Sequence, residues 1–267
     1  MAELGQKTLL RLTDEKPLII AHRGFSDEAP ENTMAAFHKA ISAKVHMIEF
    51  DVRLSADNEF VIFHDRKLER TSEGKGLVKR LAAEELARID NGSWFSSRFS
   101  RERIPLLRDV LTLTKHGTAG AIALNIEIKP DVESANGTPV EAMLVEVLVK
   151  ARALHHVMIT SFNHKMIKRV KHLNHEIATG IIYNPITNFR RSPSQLAAAA
   201  RAEFFICSKY QVNHDVVNDV HENGLKIFVY GISSERDTGR MLRLGVDGII
   251  SNNPALVKRA IEMYRNE

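Results

Sequence analysis

The stretch Met47-Ile48-Glu49-Phe50-Asp51-Val52-Arg53 reads as a strand with two unlike faces. In an extended chain residues two apart point the same way, so Ile48, Phe50 and Val52 share one side and Glu49 and Asp51 the other. The apolar side must be covered by helices. The carboxylates are then turned inward, where a pair of like charges is costly unless a cation compensates them. Further along, Leu124-Asn125-Ile126-Glu127-Ile128-Lys129 repeats the arrangement, with Asn125, Glu127 and Lys129 on the inward side.

Working outward from these two, short runs rich in Ile, Val and Phe recur at 18–22, 47–53, 121–128, 156–161, 177–183, 203–208, 226–231 and 247–251. Helix spacing separates them, as in Met34, Phe37 and Ile41 at i, i+3 and i+7. Strands alternating with helices predict an α/β fold with a parallel sheet, and eight such units predict a closed (β/α)8 barrel. No linker or low-complexity stretch interrupts the series, so residues 1–267 are expected to form one domain, with a final helix at 254–264 beside the first. About seventy residues separate the second strand from the third, where connections usually take about 2–6. This insertion, about residues 65–106, follows an extra strand-like run at 59–64 and holds a helical segment at 82–89. Long ordered insertions in barrels sit over the mouth where the loops gather, and this one is expected there.

Composition narrows the function. Lys+Arg 37 against Asp+Glu 33 gives a charge of +4, the cations are scattered, and only 6% of residues are aromatic. A nucleic-acid binder would concentrate cations beside stacking aromatics, so no nucleic-acid partner is expected. The single Cys207 cannot form an internal disulfide and is expected to pack in a strand. Residues 1–16 lack the apolar core of a signal peptide, and no apolar run approaches roughly 18 residues. The cytoplasm is therefore the expected compartment, with no stable membrane association; self-association is left open.

Three carboxylates, Glu49, Asp51 and Glu127, converge on one mouth from adjacent strand ends. Such a hard, oxygen-rich set suits one divalent cation, Mg²⁺ or Ca²⁺, and no Cys or His cluster has zinc spacing. The alternative is a structural ion network with Arg23, Arg53 and Lys129. His22 closes the first strand, and His64 ends the extra strand, facing the same way as Ile62 and Phe60. Both are expected to overlook the mouth, where a pair of imidazoles could act as base and acid across a phosphorus centre. Arg23 and Lys129 would bind phosphate oxygens. The other ten histidines are expected to be structural or exposed. Asn32 or Thr33 reads as a helix cap.

Taken in order, Ala21-His22-Arg23-Gly24, Pro30-Glu31-Asn32-Thr33, Ile48-Glu49-Phe50-Asp51-Val52, His64-Asp65 and Glu127-Ile128-Lys129 resemble the glycerophosphodiester phosphodiesterase family. Arg70-Thr71, Gly76, Trp94 and Ile104-Pro105 also look like that family's insertion, and the similarity spans roughly residues 17–262. The resemblance implies a single TIM barrel, a place in glycerol and lipid metabolism, and a hydrolase that converts glycerophosphodiesters to sn-glycerol 3-phosphate and an alcohol. It implies Glu49, Asp51 and Glu127 as metal ligands, His22 and His64 as acid and base, and Arg23 and Lys129 as phosphate-binding cations. Ser161-Phe162 matches too. Tyr230-Gly231-Ile232-Ser233 stands where the family usually has Trp-Thr-Val-Asn, and Ser251-Asn252-Asn253-Pro254 replaces a Thr-Asp turn. Tyr230 is expected to wall the glycerol site or to pack in the barrel. Two rivals remain at this point: a phospholipase-type enzyme acting on lipids or lysolipids, and a non-catalytic barrel that only binds phosphodiesters.

Overall fold

A computed structural model describes residues 17–114 and 122–266. Residues 1–16, His116 and the start of the run at 121–128 lie outside them.

Eight parallel strands form the barrel: β1 (Leu18–His22), β2 (Met47–Leu54), β4 (Ala123–Ile128), β5 (Val157–Ser161), β6 (Ala178–Ile182), β7 (Phe204–Ser208), β8 (Lys226–Tyr230) and β9 (Gly248–Ser251). Each pairs with its neighbour, and β1 pairs with both β9 and β2, which closes the ring. Every strand expected from sequence is present, most of them trimmed by a residue or two.

The short strand β3 (Phe60–Ile62) joins antiparallel to the end of β2, pairing Val52 with Ile62 and Leu54 with Phe60. Because β1 stops opposite Glu49 while β2 runs on to Leu54, β3 occupies the edge that β1 leaves. The insertion that follows has its own small core of Val61, Phe63, Leu68, Val78, Leu86 and Ile104. It leans on the first turn of the helix that follows the loop after β1, where Glu102 accepts a hydrogen bond from Ala35 N at 3.1 Å, so it stands at the C-terminal end of the barrel as expected. Its helical segment is shorter than 82–89: only Ala83–Leu86 is α-helical, and Ile89 N turns back to Leu86 O before Asp90 bridges to Arg103.

Strand alternation sorts the interior into two levels. At the floor, Leu18, Ile20, Met47, Met158, Phe204, Phe228 and Ile250 pack together inside the ring. Phe204 and Phe228 lie 5.0 Å apart between ring centroids. Their bulk is accommodated by Gly248, where an added Cβ would come within 2.5 Å of the Phe228 ring. Burying each such ring contributes roughly 1.5–3 kcal/mol. At the upper level the same inward positions are polar: Glu49, Asp51, Asn125, Glu127, Lys129 and Thr160 are all buried. Outward residues such as Ile48, Phe50, Leu124 and Ile126 meet the helices in the main core. The last helix (Pro254–Arg265) packs chiefly on the helix Glu235–Leu244 and on β1 and β9, and not chiefly beside the first helix. Cys207 is buried on β7, as expected.

Candidate active site

The loop after β1 brings the first group of side chains to the mouth. Gly24 has φ +80°, and a Cβ there would lie 2.7 Å from Ala36 Cβ, so only glycine lets this turn press on the first helix, α1 (Met34–Ser42). Thr33 caps that helix, accepting from Ala36 N at 3.3 Å. Asn32 is not the cap: its φ is +57° and its Nδ2 donates to Asp51 Oδ2 at 2.9 Å. The left-handed turn thus aims an amide at a carboxylate of the next strand.

Glu49, Asp51 and Glu127 each offer an oxygen, and these oxygens lie within 4.8 Å of one another. All three residues are buried, at 4, 1 and 8% exposure. Lys129 Nζ sits 2.7 Å from both Asp51 Oδ1 and Glu127 Oε1. Arg23 Nε is 3.3 Å from Asp51 Oδ2, and the Arg23 backbone N–H donates to Glu49 Oε2 at 3.0 Å. Burial, and then the neighbouring Asp51 charge, push the Glu49 carboxyl up to about 8. Burial, with Asp51 and Glu49 adding to it against Lys129, raises Glu127 to about 7. Asp51 is displaced the other way: burial opposes its charge, but Lys129 and Arg23 hold it well below the usual carboxylate range. Burial likewise works against the charge on Lys129, and Asp51 and Glu127 raise its pKa in spite of it. Arg23 and Lys129 thus do not offset the burial of all three acids, and Glu49 and Glu127 are both displaced toward the protonated form. A donor set of three hard oxygens with residual proton affinity fits a divalent cation.

The two histidines overlook this cluster. His22 Nδ1 lies 2.6 Å from Asn252 Oδ1, and its Nε2 is 3.9 Å from Glu49 Oε2. His64 Nδ1 lies 2.5 Å from Asp65 Oδ1. Loss of water around each ring lowers both imidazole pKa values; for His22 the Arg23 charge adds to this, and for His64 the Asp51 charge opposes it. With both Nδ1 atoms engaged, the Nε2 atoms are the ones left for chemistry. His64 does not share a side with Ile62 and Phe60, because β3 ends at Ile62 and the chain turns. Those two pack in the core, whereas His64 lines the mouth.

Sequence reading missed the residues that hold this frame. Arg53 does not join the carboxylates. Its Nε donates to His64 O at 2.8 Å and its Nη1 pairs with Asp131 at 3.1 Å. Arg70 bridges Asp65 and Glu31, with Nε 2.6 Å from Asp65 Oδ2 and Nη2 2.7 Å from Glu31 Oε1, and Glu31 in turn accepts from Arg23 Nη1 at 2.8 Å. Asn252, on the departed Thr-Asp turn, supplies the partner of His22. Tyr230 lines the inner cavity and also rests on the floor residues. Phe162 and Ile182 complete the wall, enclosing about 200 Å³.

The chain matches the Glycerophosphoryl diester phosphodiesterase family over residues 22–256. It is 34% identical over 239 residues to a glycerophosphodiester phosphodiesterase of Caldanaerobacter subterraneus subsp. tengcongensis, covering 90% of this chain and 95% of that protein. With a glycerophosphodiester phosphodiesterase of Bacillus altitudinis it shares 33% identity over 243 residues, 88% and 94% of the two chains. Among solved structures, a phosphodiesterase of Oleispira antarctica in complex with the product sn-glycerol-3-phosphate superimposes with TM-score 0.81 at 28% identity, over 94% of this chain and 99% of the other.

Proposed function

This chain belongs to the glycerophosphoryl diester phosphodiesterase family, and we propose that it hydrolyses soluble glycerophosphodiesters to sn-glycerol 3-phosphate and an alcohol with one divalent cation, Mg²⁺ or Ca²⁺. The observation that carries this reading is the meeting of Glu49, Asp51 and Glu127 within 4.8 Å beneath His22 and His64. The product bound to the Oleispira antarctica relative supports the same substrate class.

Glu49, Asp51 and Glu127 would hold the cation, which when bound lowers the energy of charge building on a phosphoryl oxygen. Arg23 and Lys129 bind the remaining phosphate oxygens, Arg23 kept in orientation by Glu31 and Lys129 by Asp51 and Glu127. A glycerol hydroxyl attacks phosphorus and gives its proton to Nε2 of one histidine, while Nε2 of the other protonates the departing alkoxide. The P–O bond to the alcohol breaks as the bond to glycerol closes, leaving a cyclic phosphate. Water then opens the ring with the two histidines exchanging roles. Asn252 and Asp65 keep both rings turned so that Nε2 faces the ester. Phe162 and Tyr230 shelter the glycerol moiety. The chain acts as one catalytic unit in the cytoplasm, and no helix among the described residues is long and apolar enough to cross a membrane.

Release of sn-glycerol 3-phosphate from a panel of glycerophosphodiesters, with Mg²⁺, Ca²⁺ or a chelator, tests this reading. Turnover that survives the chelator would reject the cation.

A second reading, action on lysolipids at a membrane surface, has one observation in its favour. Ile186, Phe189 and Tyr210 are 87, 69 and 86% exposed on the loops after β6 and β7, at the same end as the site, where the sequence suggests no exposed apolar surface. Glycerophosphocholine assayed against lysophosphatidylcholine separates the two.

A further inference from the structure

The mouth has two chambers. Beside the inner cavity lies a larger, open one of about 590 Å³, which runs toward Arg66, Lys67 and Asp131 at the start of the insertion and the end of β4. The chambers share His64, Glu127, Lys129 and Phe162. Under the reading above, the phosphorus must sit at this seam, since a group that serves the reacting ester lines both sides of it. The inner chamber, walled by Phe162, Ile182, Ile206 and Tyr230, then takes the glycerol half. The outer chamber is left for the alcohol that departs.

The charges lining the outer chamber are unequally satisfied. Asp131 is held by Arg53 Nη1 at 3.1 Å and by Arg66 Nε at 2.9 Å. Asp65 is held by Arg70 at 2.6 Å and contacts His64, while Glu127 is paired with Lys129 at 2.7 Å. Each carboxylate there therefore already has its cation. Lys67 has no carboxylate within ion-pair distance among the described residues, and its backbone is fixed by a bridge to Leu77. Among the described residues the wall holds one phenyl ring, Phe162, and no Tyr or Trp, so it offers no aromatic cage for a quaternary ammonium.

We infer that the outer chamber is the leaving-alcohol site and that Lys67 biases it toward alcohols carrying a negative charge. This rests on the phosphodiesterase reading and adds to it a headgroup class. Glycerophosphoserine and glycerophosphoethanolamine form a matched pair of probes, because their alcohols differ only by a carboxylate. An exposed ion pair of this kind changes a rate ratio by roughly 1.5–5-fold and is weakened by salt.

The test is the ratio of kcat/KM for the serine ester to that for the ethanolamine ester, measured in the full-length protein with Mg²⁺ or Ca²⁺. A ratio is insensitive to the fraction of active enzyme, so a poorly folding variant still reports. The expected ratio for the wild type is about threefold in favour of serine at low salt, falling toward unity at high salt. Lys67→Ala brings it near one and Lys67→Glu inverts it. A wild-type ratio at or below one, or a ratio that Lys67→Glu leaves unmoved, overturns the inference while the phosphodiesterase reading stands. Failure of the wild type to hydrolyse either ester overturns both.

Discussion

Arg70 and Glu31 meet through two parallel hydrogen bonds, Nη1 to Oε2 at 3.0 Å and Nη2 to Oε1 at 2.7 Å, across 39 residues of sequence. The same guanidinium grips Asp65, the partner of His64, and the same carboxylate grips Arg23. A single planar fork from the insertion thus ties together the loop after β1, which starts next to His22, and the segment after β3, which carries His64. Replacing Arg70 by Ala is expected to lower kcat about 10–100-fold, the usual size for a residue that orients others. Steady-state kinetics beside a thermal melt checks this, and near wild-type kcat would show the bridge to be dispensable.

His22→Ala and His64→Ala should each lose on the order of 10²–10⁴ in turnover if each imidazole moves a proton. Asp65→Asn retains the imidazole and should lose less than His64→Ala. Comparing the three on glycerophosphoethanolamine tests both statements, and near wild-type turnover in either alanine variant rejects that histidine.

The acid cluster makes a prediction about pH without any substrate. Glu49 and Glu127, raised to about 8 and about 7, hold protons in the folded chain that an unfolded glutamate releases near 4.5. The folded state therefore binds more protons over that interval, and its stability falls as pH rises from about 4.5 to about 8. Asp51, shifted down, adds stability above its ordinary value of 3.8 and loses it as pH falls below that. A cation at the cluster displaces the protons, so its stabilising effect grows with pH. Melting curves with Mg²⁺ or Ca²⁺ and with a chelator should diverge as pH is raised from about 5.5 to about 8. A gap that does not change with pH would remove these carboxyls from the ion's site.

Gly24→Ala puts a Cβ against Ala36 at 2.7 Å and forces an L side chain to φ +80°. The cost should exceed about 1 kcal/mol. Activity should fall along with Tm, because the displaced turn carries Arg23. An unchanged melt would show that the turn relaxes freely.

Most of the frame is legible in the sequence, because period-two alternation survives wherever a strand separates helices from the barrel interior. Glu49, Asp51 and Glu127 could be placed together on that ground alone. What failed was local or long-range. His64 seemed to follow Ile62 and Phe60, but alternation ends where the strand does. Arg53 obeys the alternation yet turns to Asp131, 78 residues away, and to His64 O. Arg70, Asp131 and Asn252 act through loops brought together by closure of the ring, and such pairings leave no periodic trace. Asn32 reads as a cap until its positive φ is known.

The tilted pair Phe204 and Phe228, with Gly248 making room for them, also bears on traffic. Among the described residues the base of the barrel is filled, so under the proposed reaction the released phosphate leaves through the same mouth by which the next ester enters. A product that lingers there holds Arg23 and Lys129, the cations the next ester needs, so its inhibition should be competitive and flux should slow as it accumulates.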